Sequence, residues 1–191
     1  PSPPPGAEEW GRARAPRGGP PPPFEIPAPI LAAWRAIGAR GRATREAWEA
    51  RLAALDDARR AELTRALAGE LPASFAATVR ETKAAWIAGA PKKATRVSSG
   101  DALDVLCATV PELLGGSADL TGSNKTKAKG VGVVAKGAWG ERYVHYGVRE
   151  HAMGAVMNGM ALHGGVIPFG GTFLVFTDYL RPALRLSALM G

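Results

Sequence analysis

A single cysteine, Cys107, occurs in the 191-residue sequence. One cysteine excludes an internal disulfide bond and fits a reducing compartment, so we expect a cytoplasmic protein. Cys107 lies in the apolar run Val105-Leu106-Cys107-Ala108. This position predicts a packed small hydrophobic side chain rather than a reactive thiol.

Long apolar runs and metal-ligand patterns are also absent. No stretch of eighteen or more apolar residues occurs, so a membrane span is not predicted. The three histidines, His145, His151 and His163, form no metal-ligand spacing with one another. We expect structural or supporting roles for all three.

The two ends of the sequence indicate a chain cut from a longer protein. The chain begins at Pro1, and its first 23 residues lack the basic and apolar regions of a secretory signal. It ends at Gly191, directly after an apolar helical pattern.

The net charge of +7 suggests nucleic-acid binding, but the basic residues are distributed in a way that argues against it. Arginines between positions 35 and 60 are interleaved with Ala, Trp and Glu, as on solvated helix faces. Lys125, Lys127 and Lys129 lie in a Gly-containing loop without the interleaved aromatic residues on which bases stack. We expect no nucleic-acid partner; salt-sensitive, sequence-selective retention on a polyanion column would favour one.

Composition divides the chain into three zones. Residues 1–23 are rich in Pro and Gly, which predicts a linker or disordered end with extended polyproline conformations. Residues 24–90 predict a helical inter-domain connector. Its helical patterns start at Pro29 and then cover Thr44 to Leu55, Asp57 to Leu67 and Phe75 to Ile87.

Strands and helices alternate in the third zone, residues 91–191. A helix capped by Ser98 or Ser99 is expected to run to about Thr109. Predicted strands cover Glu112 to Ala118, Arg142 to Tyr146 and Val166 to Gly170, and predicted helices cover Arg149 to Leu162 and Phe173 to Met190. Pro182 predicts a kink or a break in the last helix. The alternation indicates an α/β fold with parallel strands.

Glu150 lies in Gly147-Val148-Arg149-Glu150-His151, at a predicted junction between a strand and a helix. A carboxylate in the first turn of a helix is favoured by the helix dipole. Taken alone, Glu150 is therefore more simply interpreted as an ordinary helix-start acid.

Two further clusters have both a functional and an ordinary interpretation. Phe173, Phe176 and Tyr179 recur at every third position along one side of a helix start, a pattern that core packing also explains. The loop from Gly115 to Asn124 presents amides and hydroxyls after a strand, where ligands often bind, although a plain turn explains it equally.

These clusters lie within three ordered strings, GGSADL…SN, RYVHYGVREHAMGAVMNGMALHGG and PFGGTFLVFTDYLRPALRLSALMG. The strings resemble the transketolase family, and the resemblance runs from about Phe24 to Gly191. It implies a truncated parallel-sheet domain that binds the pyrimidine ring of thiamine diphosphate, preceded by a helical connector. A dihydroxyacetone synthase-like relative is the nearest alternative, and a stand-alone phosphosugar-binding module is an alternative from another class.

The resemblance also implies a role for each cofactor-binding residue. Glu150 corresponds to the catalytic carboxyl group that hydrogen-bonds N1′ of the pyrimidine. Phe173, Phe176 and Tyr179 correspond to the aromatic wall around the ring, with Phe176 stacked on it. Asp119 corresponds to an acid close to the cofactor at the subunit contact.

Arg96 and Ser123 correspond to the family's grip on the phosphate of its sugar substrates. An arginine suits a phosphate because its planar fork donates paired, charge-assisted hydrogen bonds. Taken alone, Arg96 would be an ordinary surface arginine.

The activity implied by the resemblance belongs to a larger, homodimeric protein. It is the transfer of a two-carbon ketol (glycolaldehyde) unit from a ketose phosphate to an aldose phosphate, with thiamine diphosphate and Mg²⁺ or Ca²⁺. The Gly-Asp-Gly motif, followed by Asn, with which the family's first domain holds the diphosphate and cation does not occur in the sequence. We therefore expect the 191 residues to be inactive alone.

Overall fold

The computed structural model describes residues 6–17 and 25–191. The predictions made for residues 1–5 and 18–24, among them the polyproline runs and the start of the resemblance at Phe24, lie outside the described part of the chain. The chain divides into two compact units, Pro1–Leu55 and Asp56–Gly191.

The first unit is helical. Helix α1 spans Ala7–Arg14 and continues as a 3-10 turn at Ala15–Arg17, while α2 and α3 span Ala28–Ala39 and Arg42–Ala53. None of the described residues of this unit is buried. The connecting role predicted for the helices α2 and α3 stays a prediction.

Helix α1 lies in a segment for which the composition predicted no helix. Its first turn contains Glu8 and Glu9 and its last turn Arg12 and Arg14, so the charges complement the helix dipole at both ends. The Glu9 carboxylate also accepts a hydrogen bond from the Gly6 amide at 3.0 Å. Local charge and capping therefore outweigh the Pro and Gly content on either side.

Three helices precede the sheet in the second unit. Helix α4 spans Asp57–Leu67, α5 spans Phe75–Gly89 and α6 spans Thr95–Thr109. Asp56 caps α4 by accepting a hydrogen bond from the Arg59 amide at 2.9 Å. The bounds predicted for α4 are confirmed, and those for α5 are met at its start and extended by two residues at its end.

The predicted capping of α6 by Ser98 or Ser99 is wrong. The amides of Val97 and Ser98 both donate to the carbonyl of Ala94, at 2.9 and 3.1 Å. Helix α6 therefore begins at Thr95, about one turn before the predicted start. Ser98 and Ser99 are therefore interior residues of α6.

A three-stranded parallel sheet follows, as the alternating pattern predicted. Strand β1 spans Leu113–Ser117, β2 spans Tyr143–His145 and β3 spans Ile167–Gly171, in the spatial order β2-β1-β3. The one-turn helix α7, Thr121–Asn124, lies between β1 and β2, and α8, Glu150–His163, connects β2 to β3. The fold class predicted for this zone is confirmed.

Two glycines allow the central strand to fit between its neighbours. A Cβ atom on Gly115 would lie 1.9 Å from the Phe169 carbonyl oxygen of β3. One on Gly116 would lie 1.7 Å from the Val144 carbonyl oxygen of β2. Both distances are far inside van der Waals contact, so no larger residue fits at either position without moving backbone.

The core of the described residues contains two small clusters of buried side chains. Tyr143, fully buried, packs with Cys107, Ala128 and Val131. The second cluster contains Ala118, Tyr146 and Met153. Cys107 is only 2% exposed, which confirms the prediction of a packed side chain, and this burial raises the pKa of its thiol.

Helices α8 and α9 form a close pair. A 3-10 turn at Leu174–Phe176 leads into α9, Thr177–Met190, where a single helix from Phe173 was predicted. Asn158 of α8 donates to the Ala183 carbonyl of α9 at 3.0 Å. Of the kink or break predicted at Pro182, the break does not occur, because α9 continues through this residue; the kink stays a prediction. Pro182 has no amide hydrogen to donate to the carbonyl of Asp178, an exposed residue one turn earlier.

Among residues 6–17 and 25–191, no helix combines the length and apolar character needed to cross a membrane.

Candidate active site

The carboxyl ends of the three parallel strands lie at one edge of the sheet, where α/β proteins bind ligands. A cavity of about 580 Å³ opens at this edge. Its walls come from the residues after β1, from the start of α8 and from the start of α9. They include Asp119, Leu120, Arg149, Glu150, Phe176 and Tyr179. Four of the seven residues predicted for the site are therefore brought together here.

Glu150 is the first residue of α8 and is only 6% exposed. Its Oε1 accepts a hydrogen bond from the Thr172 hydroxyl at 3.2 Å. Among the described residues Glu150 forms no ion pair; the neighbouring Arg149 instead donates to the Tyr146 carbonyl at 3.1 Å. A buried carboxylate without a counter-charge is unlike an ordinary surface acid at a helix start.

The aromatic residues form a stacked row rather than a buried core. The ring centroids of Phe173 and Phe176 are 6.1 Å apart with 14° between the planes, and those of Phe176 and Tyr179 are 6.2 Å apart with 29°. Tyr179 is 64% exposed and Phe173 40%. Phe176 and Tyr179 line the cavity beside Glu150, which core packing alone does not explain.

Asp119 lines the same cavity, and its backbone conformation is unusual. Its φ of +62° lies in the left-handed region, which Asp tolerates better than most residues other than Gly. The turn is held by the next residue, because the Leu120 amide donates to the Ser117 hydroxyl at 3.0 Å.

The remaining predicted residues lie in a second cavity of about 620 Å³. Arg96, Ser123 and Phe173 all line it, together with Thr172 and Asn124. Arg96 and Ser123 are exposed, and Arg96 forms no ion pair with the carboxylates of the described residues. The structure thus places Arg96 and Ser123 around one cavity and separates Phe173 from the cavity of Phe176 and Tyr179.

The family model for the transketolase pyrimidine-binding domain matches residues 91–191. The chain belongs to this family. It is 52% identical over 192 residues to the transketolase of Cereibacter sphaeroides and 47% identical over 172 residues to that of Geobacillus stearothermophilus. These matches cover 97% and 88% of this chain but only 28% and 25% of those relatives.

Solved transketolase structures have the same fold. The enzyme from Leishmania mexicana superposes with a TM-score of 0.72 at 36% identity, covering 96% of this chain and 27% of that one. A variant of the Pichia stipitis enzyme in complex with fructose 6-phosphate superposes with a TM-score of 0.73, also at 36% identity, covering 96% and 28%. The chain therefore spans about a quarter of the length of the transketolases that it matches.

For a pyrimidine-binding domain, the chemistry of the first cavity is well suited to its ligand. An aminopyrimidine is flat and carries ring nitrogens, so it needs an aromatic face and a carboxyl group at its edge. Phe176 and Glu150 supply these two groups in one cavity. The residues present thus fit the pyrimidine end of thiamine diphosphate.

Metal-ligand clusters are not found in the described ranges, 6–17 and 25–191, where no group of three or more His, Cys, Asp or Glu side chains converges. Of the three histidines, His151 lines the first cavity, His145 packs edge-on against Tyr143 at 5.1 Å, and His163 contacts the Gly164 carbonyl at 3.0 Å.

Sequence reasoning missed a polar network beside the second cavity, which Asn124, Thr126 and Gly171 line. The fully buried Ser117 hydroxyl donates to the Gly171 carbonyl at 3.1 Å and accepts from the Asn124 side chain at 3.0 Å. Asn124 in turn accepts from Thr126, whose hydroxyl also bonds with that of Tyr143. Ser117 and Asn124 lie in the loop singled out as a ligand loop, but nothing in their spacing indicated that they bond with one another.

Proposed function

We propose that this chain supplies the pyrimidine-holding half of a transketolase active site. The full protein would transfer a two-carbon ketol unit from a ketose phosphate to an aldose phosphate with thiamine diphosphate as cofactor. The observation that carries the proposal is the buried Glu150, which lines the same cavity as Phe176 in a chain that belongs to this family.

The roles proposed for the cavity residues follow from their chemistry. Bound thiamine diphosphate supplies the carbanion chemistry that ketol transfer requires. Phe176 would bind one face of its pyrimidine and Tyr179 would extend that wall, while the Glu150 carboxyl group would hold a proton at N1′. Asp119, which lines the same cavity, would lie close to the cofactor. Burial of Glu150 excludes bulk water from this proton.

The second cavity is proposed to hold the phosphate of the sugar. Arg96 offers a guanidinium group without a carboxylate partner among the described residues, and Ser123 offers a hydroxyl at the same cavity. Pichia stipitis transketolases have been solved in complex with fructose 6-phosphate and sedoheptulose 7-phosphate. Ketose phosphates of this kind are the proposed substrates here.

For the parts of the enzyme outside this chain, the proposal rests on the resemblance to the transketolase family. We assign the diphosphate and its Mg²⁺ or Ca²⁺ to the family's first domain, and expect a cytoplasmic homodimer in which two subunits complete each site. Residues 1–191 alone are then inactive, and detectable ketol transfer by the purified chain would overturn this part of the proposal.

A hybrid enzyme tests the function. The matching part of this chain, 97% of its length, replaces the corresponding segment of the Cereibacter sphaeroides transketolase, and ketol transfer from xylulose 5-phosphate to an aldose phosphate is measured. We expect an active hybrid, in which Glu150→Gln lowers kcat by about a hundredfold or more because the amide cannot hold the N1′ proton as the acid does.

The matched control is Glu46→Gln on α3, an exposed position outside both cavities, which should leave kcat unchanged. A folded hybrid without activity, or a Glu150→Gln hybrid as active as its parent, would contradict the proposal. Binding of a ketose phosphate by the 191-residue chain, combined with an inactive hybrid, would favour a stand-alone phosphosugar-binding module.

A further inference from the structure

Thr172 lies where the two cavities meet. Its side chain lines the cavity that contains Arg96 and Ser123. Its hydroxyl donates to Oε1 of Glu150, which lines the other cavity. One threonine thus contacts the proposed catalytic acid and borders the proposed sugar-phosphate space.

The hydroxyl of Thr172 is the only hydrogen-bond donor to the Glu150 carboxylate among the described residues. A carboxylate at the end of a flexible side chain can rotate about its last bond, so a single donor fixes the orientation of its plane. With Oε1 bonded to Thr172, Oε2 accepts no hydrogen bond from the described residues and is left available to a ligand.

Thr172 is itself held firmly by the sheet. It follows Gly171, the last residue of β3, whose carbonyl accepts from both the Ser117 hydroxyl and the Ala118 amide at 3.1 Å. The donor to Glu150 is therefore fixed to the central strand through two bonds, rather than carried on a free loop.

We propose that Thr172 is a positioning residue, whose hydroxyl orients the Glu150 carboxylate so that Oε2 faces the pyrimidine. This inference rests on the function proposed above for Glu150. It requires the hydroxyl and not the methyl group of Thr172, so serine should replace threonine and the isosteric valine should not.

The first arm of the test uses the 191-residue chain and needs no activity. The side-chain carboxyl carbon of Glu150 is observed by NMR in chain labelled with ¹³C-glutamate and assigned with Glu150→Gln. We expect Thr172→Val to shift this signal and Thr172→Ser to restore it. Thr177→Val is the matched control, because Thr177 donates to the Leu174 carbonyl at 2.6 Å and does not bond with Glu150.

The second arm uses the hybrid enzyme. We expect Thr172→Val to lower kcat by about ten- to a hundredfold, the range for losing a hydrogen bond to a charged group, and Thr172→Ser to stay within about twofold of the parent. The KM for the ketose phosphate should change less than kcat, because the hydroxyl serves Glu150 rather than the sugar. The Thr177→Val control should match the parent.

The two arms separate failure of the inference from failure of the proposed function. A Glu150 signal that Thr172→Val leaves in place overturns the positioning role, whatever the activities. A shifted signal with unchanged kcat also overturns it. An inactive parent hybrid contradicts the proposed function, and the NMR arm still decides whether Thr172 orients the carboxylate. Should Thr172→Val fail to fold, Thr172→Ala replaces it in both arms.

Discussion

Two glycines of α8 are expected to respond in opposite directions to substitution by alanine. Gly154 is buried against α9, and a Cβ atom there would lie 2.6 Å from Leu180 Cδ1 and 2.8 Å from the Cβ of Ala183. Gly159, on the exposed side of the same helix, has no atom within 4 Å of such a Cβ.

The expected magnitudes follow from these distances. Alanine is favoured over glycine inside a helix by about 0.5–1 kcal/mol, so Gly159→Ala should raise the free energy of unfolding by about that amount. At Gly154 the same gain in the free energy of unfolding is opposed by overpacking, which lowers that free energy by about 1–3 kcal/mol. Leu180 can turn its methyl group away, but the Cβ of Ala183 is fixed to the backbone of α9, so the helices must separate. We expect a net loss of about 1–2 kcal/mol for Gly154→Ala.

Hydrogen exchange measures the difference where it arises. Peptides covering residues 150–163 are followed by mass spectrometry at increasing urea concentrations, which gives the free energy of opening for α8 in the parent and both variants. The two variants should differ by roughly 2–3 kcal/mol with opposite signs relative to the parent. A Gly154→Ala variant as stable as Gly159→Ala would show that α8 and α9 do not pack as closely as the structure has them.

Two other buried side chains, Tyr146 and Cys107, lead to further predictions about stability. The Tyr146 hydroxyl is buried without a hydrogen-bond partner among the described residues, so Tyr146→Phe should raise the free energy of unfolding by about 1 kcal/mol. The same exchange measurement checks it, and a loss of stability would show that this hydroxyl has a partner. Because burial raises the pKa of the Cys107 thiol, the unfolded chain loses this proton first, and stability should fall as pH rises above about 9.0, the ordinary thiol value. Cys107→Ala should reduce that fall in urea unfolding at pH 8 and pH 10, and an equal fall in parent and variant would contradict the assignment.

Much of the fold could be predicted because the sequence patterns that mark its strands and helices lie within the elements themselves or next to them. Each of the three strands lies within a residue or two of its predicted range, since each is a short apolar run bounded by Gly or charged residues. Helix α4 was predicted to the residue, because Asp56 before it and Gly69 after it mark its ends. Helix α1 was missed because its charge pattern is surrounded by Pro and Gly.

The site was less predictable, because its contacts join residues far apart in sequence. The hydrogen bond between Thr172 and Glu150 spans 22 residues and that between Ser117 and Gly171 spans 54. Neither has a spacing that periodicity can detect. Glu150 itself was selected through family resemblance, since a carboxylate at a helix start is ordinary. The structure adds that this carboxylate is buried.

The order of the strands has a consequence for the chain during its synthesis. The central strand, β1, is made first, and its second neighbour, β3, begins at Ile167, about 50 residues after Ser117. At typical rates of translation this gap lasts roughly 3–10 s. An unpaired strand is open to pairing with other nascent chains, but glycine gives such a strand little tendency to pair. We therefore expect Gly115 and Gly116, which the finished sheet needs for close contact, also to limit pairing of β1 with other chains before β2 and β3 are made.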